Sequence, residues 1–115
     1  MFKKRAEMEA RTVENCHDGT GTLECTHVLK KGDSEAGIRF MHDDLLAPGA
    51  TIGEHTHAEG EEIYFVVEGH GTMIMDGEQI PMGPGDISMV KPGHSHGIIN
   101  ADDNTMRLIV LEVSP

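Results

Sequence analysis

Residues 49–69 read GATIGEHTHAEGEEIYFVVEG, and the fold of the chain turns on this stretch. If residues 54–57 are extended, the period-two alternation of a strand puts His55 and His57 on one face. The next four residues, Ala58, Glu59, Gly60 and Glu61, are small or polar and include a glycine, which suits a four-residue hairpin loop. That loop length makes His57 and Glu62 direct cross-strand neighbours. Two imidazoles and a carboxylate then converge with no long-range assumption. Glu59 and Glu61 compete for the carboxylate role, but Glu61 would face away from His57 in such a hairpin, which favours Glu62.

A second stretch, residues 85–100, reads GDISMVKPGHSHGIIN. Its glycine-containing turn signals, one of them Pro92-Gly93, lead into His94 and His96, which share a strand face and which alternation alone does not separate. Three imidazole nitrogens and one carboxylate oxygen suit a divalent transition metal (Mn, Fe, Co, Ni, Cu or Zn) and are too nitrogen-rich for calcium or magnesium. A five- or six-coordinate ion would keep one or two positions open to water or to a small-molecule ligand.

With 115 residues the chain is expected to form one domain that buries roughly two-thirds of the surface its unfolded form would expose. Twenty acidic residues against nine basic ones give a formal net charge of −11, a field that repels nucleic-acid backbones and anionic membranes. A cation inside a cup would locally outweigh that field, so an anionic substrate is not excluded. Cys16 and Cys25 are the only cysteines, too few for a disulfide framework and not at zinc-motif spacing, and are read as reduced structural thiols. The basic start, Met1 to Arg5, runs into Glu7, Glu9 and Glu14 without an apolar segment, and no run approaches the ~18 apolar residues of a membrane span. A soluble cytoplasmic protein is expected.

Along the chain, residues 1–22 are polar and read as an N-terminal arm, with residues 23–115 as the domain. Strands are expected over Leu23–Leu29, Ile38–Ala47, Ile63–Val67, Gly71–Gly77, Gln79–Met82, Ile87–Val90, Gly97–Ile99 and Met106–Val113, with Asp76-Gly77 as a two-residue hairpin turn. Many short strands with frequent turns and no helical stretch argue for an all-β sandwich or barrel. IYFVV at residues 63–67 and the run Leu108 to Leu111 are apolar on both faces, so both faces need cover. A homodimer that buries the outer face is the expected solution. Met41, Met73, Met75, Met82 and Met89 are assigned to filling the interior and lining an apolar pocket. His17, His27, His42 and His70 show no partner pattern and are read as ordinary structural or surface residues.

The two histidine stretches resemble the paired motifs of the cupin superfamily. Gly49, His55, His57, Glu62 and Gly69 fall at the family spacing of the first motif, and Gly85, Pro92-Gly93, His96 and Asn100 at that of the second; Lys91 stands where the family usually has proline. The resemblance implies a small antiparallel β-barrel, or jelly roll, with a metal at its mouth. It selects His96 over His94 as the fourth ligand, beside His55, His57 and Glu62. Decarboxylation, sugar isomerisation, lyase and dioxygenase chemistry are family outcomes that it implies without choosing between them.

Two functions follow. One is a metal-dependent enzyme acting on a small organic acid, enol or sugar, with Glu61, Tyr64 and His94 as candidate catalytic groups. The other is a non-catalytic ligand-binding or sensor protein using the same ion. A metal-free structural barrel is a third, weaker reading.

Overall fold

A computed structural model describes all 115 residues. Ten strands follow one another: β1 (Ala10–Glu14), β2 (Thr22–Leu29), β3 (Ile38–Leu46), β4 (Thr51–Thr56), β5 (Glu61–Glu68), β6 (Gly71–Met75), β7 (Glu78–Met82), β8 (Ile87–Val90), β9 (Ser95–Ile99) and β10 (Met106–Val113). They form two antiparallel sheets, one of six strands in the order β1-β2-β3-β10-β5-β8 and one of four in the order β4-β9-β6-β7. Faced together, these are the jelly-roll barrel expected from the sequence. No helix is long and apolar enough to cross a membrane.

The hairpin expected around residues 58–61 does not form. β4 pairs with β9, and β5 pairs with β10 and β8, so the short connection crosses from one sheet to the other. Cross-strand pairing therefore does not bring His57 to Glu62; the closure of the two sheets does. By contrast, Asp76-Gly77 joins β6 to β7 as expected, with Met75 opposite Glu78 and φ values of 48° and 81° at the two turn residues. The arm is also more ordered than its composition suggests. Ala10–Glu14 pairs with β2 along its whole length, and the turn Cys16–Asp18 lies against β4.

Alternation divides the barrel interior into two halves. Inward positions on β5 run Val66, Tyr64, Glu62; on β10, Leu108, Val110, Glu112; on β9, Ile98, His96; and on β2, Leu23, Cys25, His27. At one end they are aliphatic and join Leu46, Met73, Met82 and Met106 in a single buried cluster. Burying those side chains contributes roughly 1.5–3 kcal/mol each. At the other end the same strands present ligating and ionisable groups. Asn100, fully buried, closes the apolar end by donating Nδ2 to the carbonyls of Leu46, Ala47 and Asn104 at 3.0, 3.2 and 2.9 Å.

The doubly apolar strands do have two apolar faces. On the outside of the six-stranded sheet, Ile109, Phe65 and Ile87 form one cross-strand row, and Met41, Leu111, Ile63 and Met89 another. Ile87 is 63% exposed and Met89 43%. Met41 and Met89 therefore lie on the outer face and do not fill the interior, whereas Met73 and Met82 do.

Candidate metal centre

β4 reaches the site through a bulge. Ile52 faces Ile98 and His55 faces His96, so two residues of β4, Gly53 and Glu54, oppose the single Gly97 of β9. Ile52 already points into the core; strict alternation from it would turn His55 outward. The surplus residue resets the phase and aims His55, and then His57, at the interior. Two glycines make room for this. A Cβ on Gly53 would lie 2.0 Å from the His17 carbonyl oxygen, and one on Gly97 would lie 2.8 Å from the Ile52 oxygen.

The structure brings His55, His57, Glu62 and His96 together, with one ligating atom from each inside a 4.8 Å circle of mutual distances. His96 Nε2 lies 3.1 Å from His55 Nε2 and 2.8 Å from Glu62 Oε1. The Nε2 atoms of His55 and His57 each lie 3.3 Å from the same oxygen. Ligand atoms roughly 2.1 Å from a common centre are about 3.0–3.4 Å apart in octahedral or tetrahedral sites, so the four atoms have the spacing of a coordination shell.

The imidazoles are turned the right way for this. His55 Nδ1 is 2.8 Å from the Gly53 carbonyl, which can only accept, so Nδ1 keeps a proton, and Nε2, which faces Glu62, becomes a ligating lone pair when a cation displaces its own proton. His57 Nδ1 is held 2.7 Å from Glu112 Oε1, which fixes the same orientation. His57 Nε2 is buried without a hydrogen-bond partner, because its approach to Glu62 is poorly aligned. A buried lone pair without a donor is the group a cation would satisfy.

Burial alone would raise the Glu62 carboxyl, but the hydrogen bonds from His55 and His96 and the nearby His57 outweigh it and hold Glu62 well below the usual range. Burial likewise pushes His55 down, yet its bonds to Glu62 and the Gly53 carbonyl leave it raised. Burial lowers His96, which stacks on Tyr64 at 4.5 Å with ring planes 10° apart. Burial and then the Glu62 charge push the Tyr64 hydroxyl well up, so it remains a phenol.

The remaining candidates lie elsewhere. His94 is exposed and bonds Asp76 at 2.7 Å, where it braces the β6–β7 turn rather than entering the cup. Glu61 pairs with Val113 and lines a shallow surface depression with Gly37 and Pro92. Two groups at the site gave no sequence signal of their own. His17 stacks on His55 at 3.7 Å from the Cys16–Asp18 turn, and Glu112 reaches His57 from the far end of β10.

Below the cluster lies a cavity of about 240 Å3, walled by Glu62, Tyr64, Ile52, Phe40 and His17 and, on its other side, by Cys25, His27, His42 and Asp44. Arg11 of β1 is its only guanidinium or ammonium group. Burial pushes Asp44 up to about 7, and burial followed by the neighbouring His27 pushes His42 down to about 4. The volume suits a metabolite of a few heavy atoms rather than a drug-sized molecule.

The cupin-domain family profile matches residues 44–112, which span β4 to β10 and all four clustered residues. The oxalate-binding protein of Thermotoga maritima is 30% identical over 112 residues, covering 96% of this chain and 92% of that protein. A crystal structure from the same organism, described as a predicted oxalate decarboxylase, superimposes with a TM-score of 0.93 at 26% identity over the full length of both chains. A gentisate 1,2-dioxygenase from a Ralstonia species is 35% identical over 74 residues, which are 62% of this chain but 20% of that enzyme. Two facing sheets, a bulge that turns paired histidines inward and a profile match over more than half of its length make this chain a member of the cupin family.

Proposed function

We propose that the chain binds a divalent first-row transition metal through His55, His57, Glu62 and His96 and uses it to hold a small organic acid of the oxalate class in the adjoining cavity. The observation that carries this reading is the convergence of four ligating atoms, one of them a buried nitrogen without a partner, at the edge of a metabolite-sized cavity. The similarity to an oxalate-binding protein across nearly the whole of both chains supports the ligand class. When bound, the metal supplies Lewis acidity and open positions that accept carboxylate oxygens.

The chain's own residues do the rest. Glu62 stays ionised and offsets cationic charge; Gly53 and Glu112 keep two imidazoles in the ligating tautomer. Tyr64, Ile52 and Phe40 form apolar walls, and Arg11 places positive charge on the opposite side. Glu61 and His94 lie outside the cup, which supports binding over turnover. Catalysis is the second reading. Similarity to a dioxygenase supports it, and the organic acid would then be the substrate.

The test is calorimetric titration of oxalate into metal-free and manganese-loaded protein. One site that appears only with metal, and is lost in His96→Ala, is the expected result; no heat from the loaded protein overturns the reading. Product analysis of the same mixtures under air and under nitrogen separates turnover from binding.

The same proposal includes a homodimer formed through the outer apolar rows of the six-stranded sheet, in a reducing cytoplasm where Cys16 and Cys25 stay thiols. Light scattering should give twice the chain mass for wild type and one chain mass for Phe65→Asp; a monomeric wild type defeats it.

A further inference from the structure

A second group of metal-ligating side chains lines the far wall of the cavity. β2 and β3 pair so that Cys25 faces Asp44 and His27 faces His42, all four on the inward side. Cys25 Sγ lies 3.8 Å from His27 Nε2, and the ligating atoms of Cys25, His27 and His42 all fall within 4.8 Å of one another. In a tetrahedral site with roughly 2.3 Å to sulfur and 2.0 Å to nitrogen, sulfur and nitrogen are about 3.5 Å apart, so the observed spacing needs little adjustment. Next to them, Asp44 is 3% exposed and its Oδ1 has no hydrogen-bond partner. An unpaired buried carboxylate oxygen is costly, and a neighbouring cation is one way to satisfy it.

We propose that Cys25, His27 and His42 form a second cation site, suited to a borderline-soft ion such as Zn2+, with Asp44 beside it and a fourth position open to the shared cavity. The donor sets differ in kind. Three nitrogens and a carboxylate accept the whole first-row series, whereas a thiolate with two imidazoles selects zinc or copper over manganese. The pair of strands is also well placed to hold an ion, since His42 is braced by Phe40 at 4.2 Å and meets His27 edge to face at 4.5 Å. A cation binding there replaces the thiol proton of Cys25 and releases it to solvent.

The site stands independently of the histidine–glutamate centre, and cobalt(II) titration of the metal-free protein tells them apart. Wild type should bind two equivalents, one of which brings a near-ultraviolet thiolate-to-cobalt charge-transfer band. Cys25→Ser should lose that band and one equivalent; His55→Ala should keep the band. Cys16→Ser should also keep it. His42→Ala, which leaves the thiol in place, should weaken the binding that produces the band by at least tenfold, and far-ultraviolet circular dichroism checks that each variant folds. The proposal is overturned if wild type shows no thiolate band, if the band survives Cys25→Ser, or if Cys16→Ser removes it.

Discussion

Glu112 is the sharpest handle on the proposed metal centre, because it touches a proposed ligand, His57, without being one. Its Oε1 lies 2.7 Å from His57 Nδ1, and both side chains are largely shielded from solvent, at 20% and 15% exposure. A charge-assisted contact of this length is worth about 1.5–3 kcal/mol where it is protected. Only the part that orients the ring and raises its basicity reaches the metal, which for such outer partners amounts to a 10–100-fold change in affinity. Glu112→Ala should therefore weaken metal binding by about 1.4–2.7 kcal/mol. Glu112→Gln, which keeps an acceptor but loses the charge, should fall between Ala and wild type. His55 supplies the internal control, since its own Nδ1 partner is the Gly53 carbonyl and is untouched by either change. The assay is a competition titration of metal-free protein against a chromogenic chelator. The metal-induced rise in thermal midpoint should shrink in step with the affinity. Equal affinities, within a factor of about two, for Glu112→Ala and wild type would refute the argument that the carboxylate sets His57.

Three further outcomes test other parts of the molecule. Gly97→Ala should destabilise the chain by about 1–3 kcal/mol in urea unfolding, because the new methyl meets the backbone of the β4 bulge at 2.8–3.1 Å. Met73→Ala, at a position 1% exposed, should cost about 2–5 kcal/mol in the same assay. Asp43 is held below the usual carboxylate range first by its hydrogen bonds from Arg107 and then by Arg5. A depressed folded value means the contribution is present above about pH 4 and disappears as the pH falls through the folded value. Asp43→Asn should be less stable than wild type at pH 7, and the gap between them should close on acidification towards pH 2; a pH-independent gap would contradict the assignment.

The clustering of His55, His57, Glu62 and His96 could be read from the sequence because they lie in two short stretches with period-two spacing. The way they converge was not legible. His57 and Glu62 were expected to face each other across a hairpin, yet their strands belong to different sheets. The four-residue connection is compatible with both geometries, and nothing local distinguishes them. The doubly apolar faces of β5 and β10 were legible, since IYFVV offers no polar side. β1 was not, because Ala10–Glu14 is a polar edge strand whose only credential is its partner β2. Glu112, His17 and the Cys25–His27–His42 group depend on contacts between residues far apart in the chain. Cys25 and His27 alternate as His55 and His57 do, and His42 and Asp44 repeat that spacing, but with no short turn joining the two pairs His27 and His42 read as residues without a partner.

The surplus residue at Gly53–Glu54 has a consequence for how this barrel can change. Below it, β4 is read in one frame, with Ile52 serving the apolar filling; above it, the frame shifts and His55 and His57 join the proposed metal centre. Packing and coordination are thus written in separate registers of a single strand. Removing Glu54 would leave Gly53 alone opposite Gly97 and restore strict alternation from Ile52 to His55, so the register on either side of the boundary does not depend on the extra residue.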